Sequence, residues 1–100
     1  MAHATVLFHR LALREYHAAE QWYAQRSPQA ALRFQDAVDR AVERIAASPN
    51  LWRLFGRHHR WVRAGRFPYV LYYRILDADR VMIMAVAHAR RRLGYGRKRT

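Results

Sequence analysis

The sequence predicts an α+β fold: an N-terminal strand, an antiparallel helical hairpin, then a three-stranded antiparallel meander, with both helices packed on one face of the sheet. Three observations lead there. Apolar side chains recur at steps of three and four along residues 12–45, and that stripe is interrupted once, at Ser27-Pro28. The last third holds two runs rich in Val, Ile and Tyr, separated by Asp77-Ala78-Asp79. Such runs suit a half-buried pleated surface, and the acidic linker is a turn signal. With 100 residues, 52% of them hydrophobic and 13% aromatic, the chain supports one modest core, so residues 1–100 are read as a single domain.

Thr5-Val6-Leu7-Phe8, β-branched and aromatic, reads as the first strand. Ala12, Tyr16, Ala19 and Tyr23 then share one helical face, while Arg14, Glu15, Gln21 and Gln25 fall elsewhere. Ser27 closes this helix and caps the next, with Pro28 at the first helical position, where a missing N–H costs nothing. The second helix should run from residue 28 to about 48, with Ala31, Phe34, Val38, Ala41 and Ile45 inward and Arg33, Asp36, Arg40 and Arg44 outward. Asp36 and Arg40 stand in the favourable order for an ion pair, and Pro49 ends the helix. Residues 50–59 lack a clear period and read as a loop pinned by Trp52 and Phe55. Strands are expected at 60–64, 67–76 and 81–88, with a turn at Gly65; Pro68 must sit where no ladder donor is needed. Gly94-Tyr95-Gly96 reads as a flexible turn and residues 97–100 as a mobile end.

The chain has 19 Lys and Arg against 7 Asp and Glu, a formal charge of +12, and Lys98 is its only lysine. Guanidinium groups fork onto carboxylates and phosphates and stack on flat rings, so the excess points to a polyanion or an acidic protein. A GC-rich genome would explain arginine at single positions, though not the imbalance. Cysteine is absent, so there is no disulfide or thiolate metal site. The apolar run near the N-terminus is too short for a signal peptide, and no run approaches the ~20 residues that span a bilayer. A cytoplasmic location without membrane contact is expected.

Small motifs follow one another in order: Ala12 with Glu15, Trp22-Tyr23, Phe34, Pro49, Arg66-Phe67-Pro68-Tyr69 with Tyr73-Arg74, and Ala85-Val86-Ala87-His88 running into Arg91-Arg92 and Gly94-Tyr95. In this order and length the chain, from Val6 to Arg97, resembles the RelE/ParE superfamily of toxins from bacterial type II toxin-antitoxin modules, also called plasmid stabilisation proteins. Many relatives carry Pro and Trp around the late Gly and Tyr, where this chain has Leu93 and Gly96. The resemblance implies a hetero-oligomer with a cognate antitoxin whose acidic C-terminal segment wraps the basic toxin, and no cofactor. A +12 domain matches such a segment electrostatically. The residues expected to bind antitoxin or target are Arg60, Arg63, Arg90, Arg91, Arg92, Tyr95 and Arg97.

The resemblance leaves two targets open. RelE-like members cleave mRNA on the ribosome, and ParE-like members inhibit DNA gyrase. RNA cleavage needs a base, an acid and a cation for the phosphorane charge. Where RelE-like ribonucleases place an arginine after the first tyrosine of the middle strand, this chain has Val70, which cannot stabilise a phosphate. The gyrase reading therefore leads. A ribonuclease would have to use His88, Arg90 and Tyr95, with Arg63 nearby. His88 ends the last strand, where the bland alternative is a histidine that hydrogen-bonds the turn. His58 and His59 are adjacent and point to opposite faces with no carboxylate near in sequence, so no metal is expected. Tyr16, Tyr23 and Phe34 read as core, whereas Trp52, Trp61 and Tyr95 are freer to face a partner. A third reading is a basic nucleic-acid-binding module making salt-dependent phosphate contacts.

Overall fold

Ser27 and Pro28 turn one apolar stripe into two helices. The computed structural model describes residues 3–91 and 95–100. Helix α1 spans Arg10–Ala24 and α2 spans Pro28–Ala47. The Ser27 hydroxyl accepts from the Ala30 N–H at 3.2 Å, and Pro28 occupies the first turn. At the start of α1 the cap is His9, whose Nδ1 accepts from the Leu11 N–H at 3.1 Å. All five expected inward residues of α2 are buried, and Asp36 pairs with Arg40 at 3.1 Å. Both partners are exposed, which keeps that pair to roughly 0.3–0.5 kcal/mol. No helix among the described residues is long and apolar enough to cross a membrane.

Five strands form one sheet: β1 (Thr5–Phe8), β2 (Arg53–Phe55), β3 (His59–Arg63), β4 (Tyr69–Ile75) and β5 (Arg80–His88), in spatial order β1-β5-β4-β3-β2. The pairs from β2 to β5 are antiparallel, and β1 runs parallel to β5 with Val6 opposite Val81 and Phe8 opposite Ile83. The α+β class stands as expected. The stretch read as a loop at 50–59 is corrected, because it contains β2. Three residues are too few to show a period of two; the signal was Gly56, whose φ of 66° lets Phe55 turn back to pair with His59. Trp52 does pin the segment, donating its indole N–H to the Arg44 carbonyl at 3.1 Å.

The helices cover one sheet face. Phe34 is 0% exposed and lies 5.1 to 5.8 Å, between ring centroids, from Tyr16, Tyr23, Phe67 and Tyr69. Opposite Tyr72 and Tyr73 the register slips, so that Ala85 and Ile83 are paired and Met84 is extra. This bulge resets the alternation: Val81, Ile83 and Val86 join the helix-side core, whereas Ala85 and Ala87 join Val70 and Tyr72 on the other face.

Tyr73 closes the core's edge by donating its hydroxyl to the Pro49 carbonyl at 2.6 Å, and burial pushes its pKa up to about 12 from 10.0. A raised acid pKa means stability that is complete below the unfolded value and is lost as pH climbs through the folded one. Tyr73→Phe is therefore expected to cost about 1 kcal/mol at neutral pH and to lose less stability than wild type between pH 10.0 and about 12. Denaturant midpoints across that window measure it; parallel losses in the two proteins would refute the assignment.

Arg99 packs against the sheet, where the sequence suggested a mobile end. Arg99 forms a two-pronged pair with Glu15 of α1, with both N–O distances at 2.9 Å, and donates to the Met84 carbonyl at 2.9 Å. Glu15 Oε1 also accepts from the Val86 N–H at 3.0 Å. Because β1 stops opposite Ile83, the rest of β5 has no strand beside it there, and this ion pair satisfies part of its open edge. His9 Nε2 lies 3.0 Å from the Thr100 carbonyl oxygen.

Candidate partner-binding surface

Acid and base segregate along the chain, and folding turns that into a surface. Glu15 and Glu20 lie on α1, Asp36, Asp39 and Glu43 on α2, and Asp77 and Asp79 beside the β4–β5 turn; these are all 7 acids. The turn carboxylate is itself engaged. The Asp79 N–H and the Arg80 side chain hydrogen-bond Asp77 and hold its pKa below the usual carboxylate value. Strands β2 and β3 and the described tail therefore carry only cations among their charged groups.

On the helix-free face Val70, Tyr72, Ala85 and Ala87 form a floor with Trp61 and Tyr95 packed on it. Arginines stack on the rings around them. Arg53 lies 5.3 Å from the Trp61 centroid, Arg91 5.0 Å and Arg99 5.1 Å from Tyr95, and Arg97 5.6 Å from Phe55. Stacking spends the flat guanidinium faces of Arg53, Arg91 and Arg97 and leaves their N–H edges for anions, whereas those of Arg99 are given to Glu15 and the Met84 carbonyl. Gly96 allows the tail to lie this close: its φ is 85°, and a Cβ there would stand 2.7 Å from Ala85 Cβ. Gly96 thus belongs to a packed turn, where the sequence suggested a flexible one; Gly94 lies outside the described residues.

The expected binding residues do not all converge. Arg63, Arg91 and Tyr95 gather on the helix-free side, and a cavity of about 200 Å³ between Arg63 and Arg91 is walled by Trp61, Val70, Tyr72 and Ala89. Arg97 sits further along, at β2. Arg60 turns the other way and donates to the Trp52 carbonyl at 2.7 Å. Arg90 is exposed just past β5, and Arg92 lies outside the described residues. Sequence reasoning missed Arg53, Arg99, Trp22 and Glu15 as parts of this surface. Only Trp22 gave a signal, as an aromatic one step off the apolar stripe.

His88, Arg91 and Tyr95 meet at a groove of about 290 Å³ between α1 and the end of β5. His88 Nδ1 accepts from the Arg90 N–H at 3.1 Å and its ring stands edge-on to Tyr69, 5.4 Å away. This is the turn hydrogen bond of the bland reading. Glu15, the carboxylate at the groove, is bound to Arg99 and Val86. Val70 is 7% exposed, and its cross-strand neighbour Arg63 donates its Nε–H to the Phe67 carbonyl at 3.2 Å. The arrangement is suited to gripping anions, and the Nδ1 of His88 is taken up by the turn.

His59 sits at the β2–β3–β4 end of this face, with a buried Nε2 that has no hydrogen-bond partner. Desolvation, then Arg74, His58 and Arg97, lower its pKa from 6.5. The unfolded chain therefore binds the extra proton first, so the stability linked to His59 is complete above 6.5 and is lost as pH falls through that value toward the depressed one. His59→Leu should flatten the acid side of the stability profile relative to wild type. Superimposable profiles would show that His59 is not the group responsible.

The family described as "ParE toxin of type II toxin-antitoxin system, parDE" matches residues 6–93. Among solved structures, the chain is similar to one titled "Chromosomal ParDE TA system from P. aeruginosa", with a TM-score of 0.71 and 17% identity over 85% of this chain and 95% of that one. No curated protein matches. The structural likeness supports the two-helix, five-strand fold, and the family match runs from within β1 to beyond β5, so the chain belongs to the ParE toxin family of type II toxin-antitoxin systems.

Proposed function

We propose that this ParE-family toxin arrests growth in the cytoplasm by binding DNA gyrase and is neutralised by a cognate antitoxin whose acidic segment covers the arginine-bearing sheet face and tail. The observation that carries this reading is the helix-free face itself, where Arg53, Arg91 and Arg97 are held on aromatic rings; the resemblance, which implies that Val70 falls where RelE-like ribonucleases carry an arginine, supports it. Arginines fixed on strands and on an anchored turn lose little freedom when they grip carboxylates, which favours tight and salt-sensitive binding. An antitoxin so bound would form a hetero-oligomer with the toxin.

One observation favours a second reading, a ribosome-dependent mRNA endonuclease using His88, Arg90 and Tyr95: Arg63 stands directly across from Val70 and could stand in for the missing cation. Induction of the toxin separates the two. Gyrase inhibition should leave messages intact while DNA is cleaved or loses supercoiling, and His88→Ala, once shown to fold, should still arrest growth. Codon-linked mRNA cuts that disappear in folded His88→Ala would replace gyrase binding with ribonuclease chemistry.

A further inference from the structure

A second cavity, of about 220 Å³, adjoins the α1–β5 groove and shares Trp22, Tyr69 and His88 with it. The two make one trough along α1, running from the Glu15–Arg99 pair to Pro68. Its floor is made of small apolar residues, Ala18 and Ala19 from α1 and Val86 from β5, with Ala87 of β5 also in the lining. Trp22 forms a wall and is 49% exposed, a large apolar surface open to solvent. Arg26 lies 3.5 Å over its ring and is tethered by donating to the Trp22 carbonyl at 2.9 Å. At the other side Arg91 rests on Tyr95. Glu15, the one carboxylate among the described residues of the lining, is matched by Arg99, so Arg91 in the lining and Arg26 on the Trp22 ring leave the site net cationic.

We propose that this trough seats an apolar anchor of the antitoxin: one bulky side chain such as leucine lying on the alanine floor against Trp22, flanked by carboxylates that reach Arg26 and Arg91. The inference rests on the reading that an acidic partner segment covers this chain. Charge complementarity selects that occupant. A second copy of a +12 chain would be repelled, and a floor of methyl groups offers a nucleobase edge nothing to hydrogen-bond. Exposed ion pairs chiefly speed encounter and set specificity, whereas a buried side chain in a fitted pocket slows dissociation. The trough thus supplies what the arginines alone do not.

The test uses two fluorescently labelled, glutamate-rich peptides of equal charge, one with a single central leucine and one with serine there, read by anisotropy. Wild-type protein should bind the leucine peptide about tenfold or more tighter than the serine peptide. Ala18→Trp places bulk on an exposed helical position and fills the floor without altering charge, so its fold should be unchanged by circular dichroism and melting. In that variant the leucine advantage should vanish while the weaker, salt-sensitive binding common to both peptides persists. Equal affinities for wild type, or a leucine advantage that survives Ala18→Trp, overturns the trough while leaving the acidic-partner reading in place. Failure of both peptides to bind overturns both. If a single-stranded oligonucleotide competes more strongly than the leucine peptide and is itself weakened by Ala18→Trp, the occupant is nucleic acid and the proposal fails.

Discussion

Phe34→Ala is expected to lower the unfolding free energy by about 3–5 kcal/mol, a large share of what a domain of this size possesses. Phe34 is fully buried and touches both layers, packing on Tyr16 and Tyr23 of α1, on Phe67 of the turn before β4 and on Tyr69 of β4. Four rings held by α1, the turn before β4 and β4 itself cannot collapse together into the space of a lost phenyl, so the cavity term adds to the lost transfer term. Leu32, two residues earlier on α2 and 62% exposed, is the internal control, since its replacement by alanine should change stability by no more than about 0.5 kcal/mol. Denaturant midpoints at unchanged slope report both values. A Phe34→Ala midpoint equal to wild type would mean the helical hairpin does not pack on the sheet as described.

The helical half was legible because its signals are local. Ser27-Pro28 carries its own capping chemistry, and five inward positions of α2 repeat at the helical period, so neither depends on residues far away. The β4–β5 hairpin was legible for the same reason, through Asp77 and its turn. What could not be read was set by distant partners. The parallel seat of β1 beside β5 joins segments at opposite ends of the chain. The bulge at Met84 leaves no mark on a run that is apolar throughout, yet it decides that Val86 faces the helices and Ala87 the open face. The candidate site was half legible. Arginine excess and Val70 could be seen, but Arg60 and Arg63 lie on opposite faces because an odd spacing on a strand separates them, and Glu15 gave no sign of its partner at residue 99.

Removing that partner gives the other large expected effect. Glu15→Ala should destabilise the protein by about 2–3 kcal/mol, the range for losing charge-assisted hydrogen bonds. The loss is larger than for a surface pair because the two side chains are only 14% and 22% exposed, so water replaces the contact poorly. Two groups are stranded at once: the Val86 N–H on the open edge of β5, and the Arg99 guanidinium, whose pKa the Glu15 hydrogen bond raises. With its anchor gone, the tail should leave the sheet and take Tyr95 and Arg97 with it. Three readouts should move together: faster amide exchange at Val86, quicker tryptic cleavage after Arg97, and a lower denaturant midpoint. Glu15→Gln should fall between, because its amide oxygen can still accept from Val86 but offers Arg99 no charge. Unchanged exchange at Val86 in a destabilised Glu15→Ala protein would separate the carboxylate from the strand edge and leave the tail held by Gly96 and Tyr95 alone.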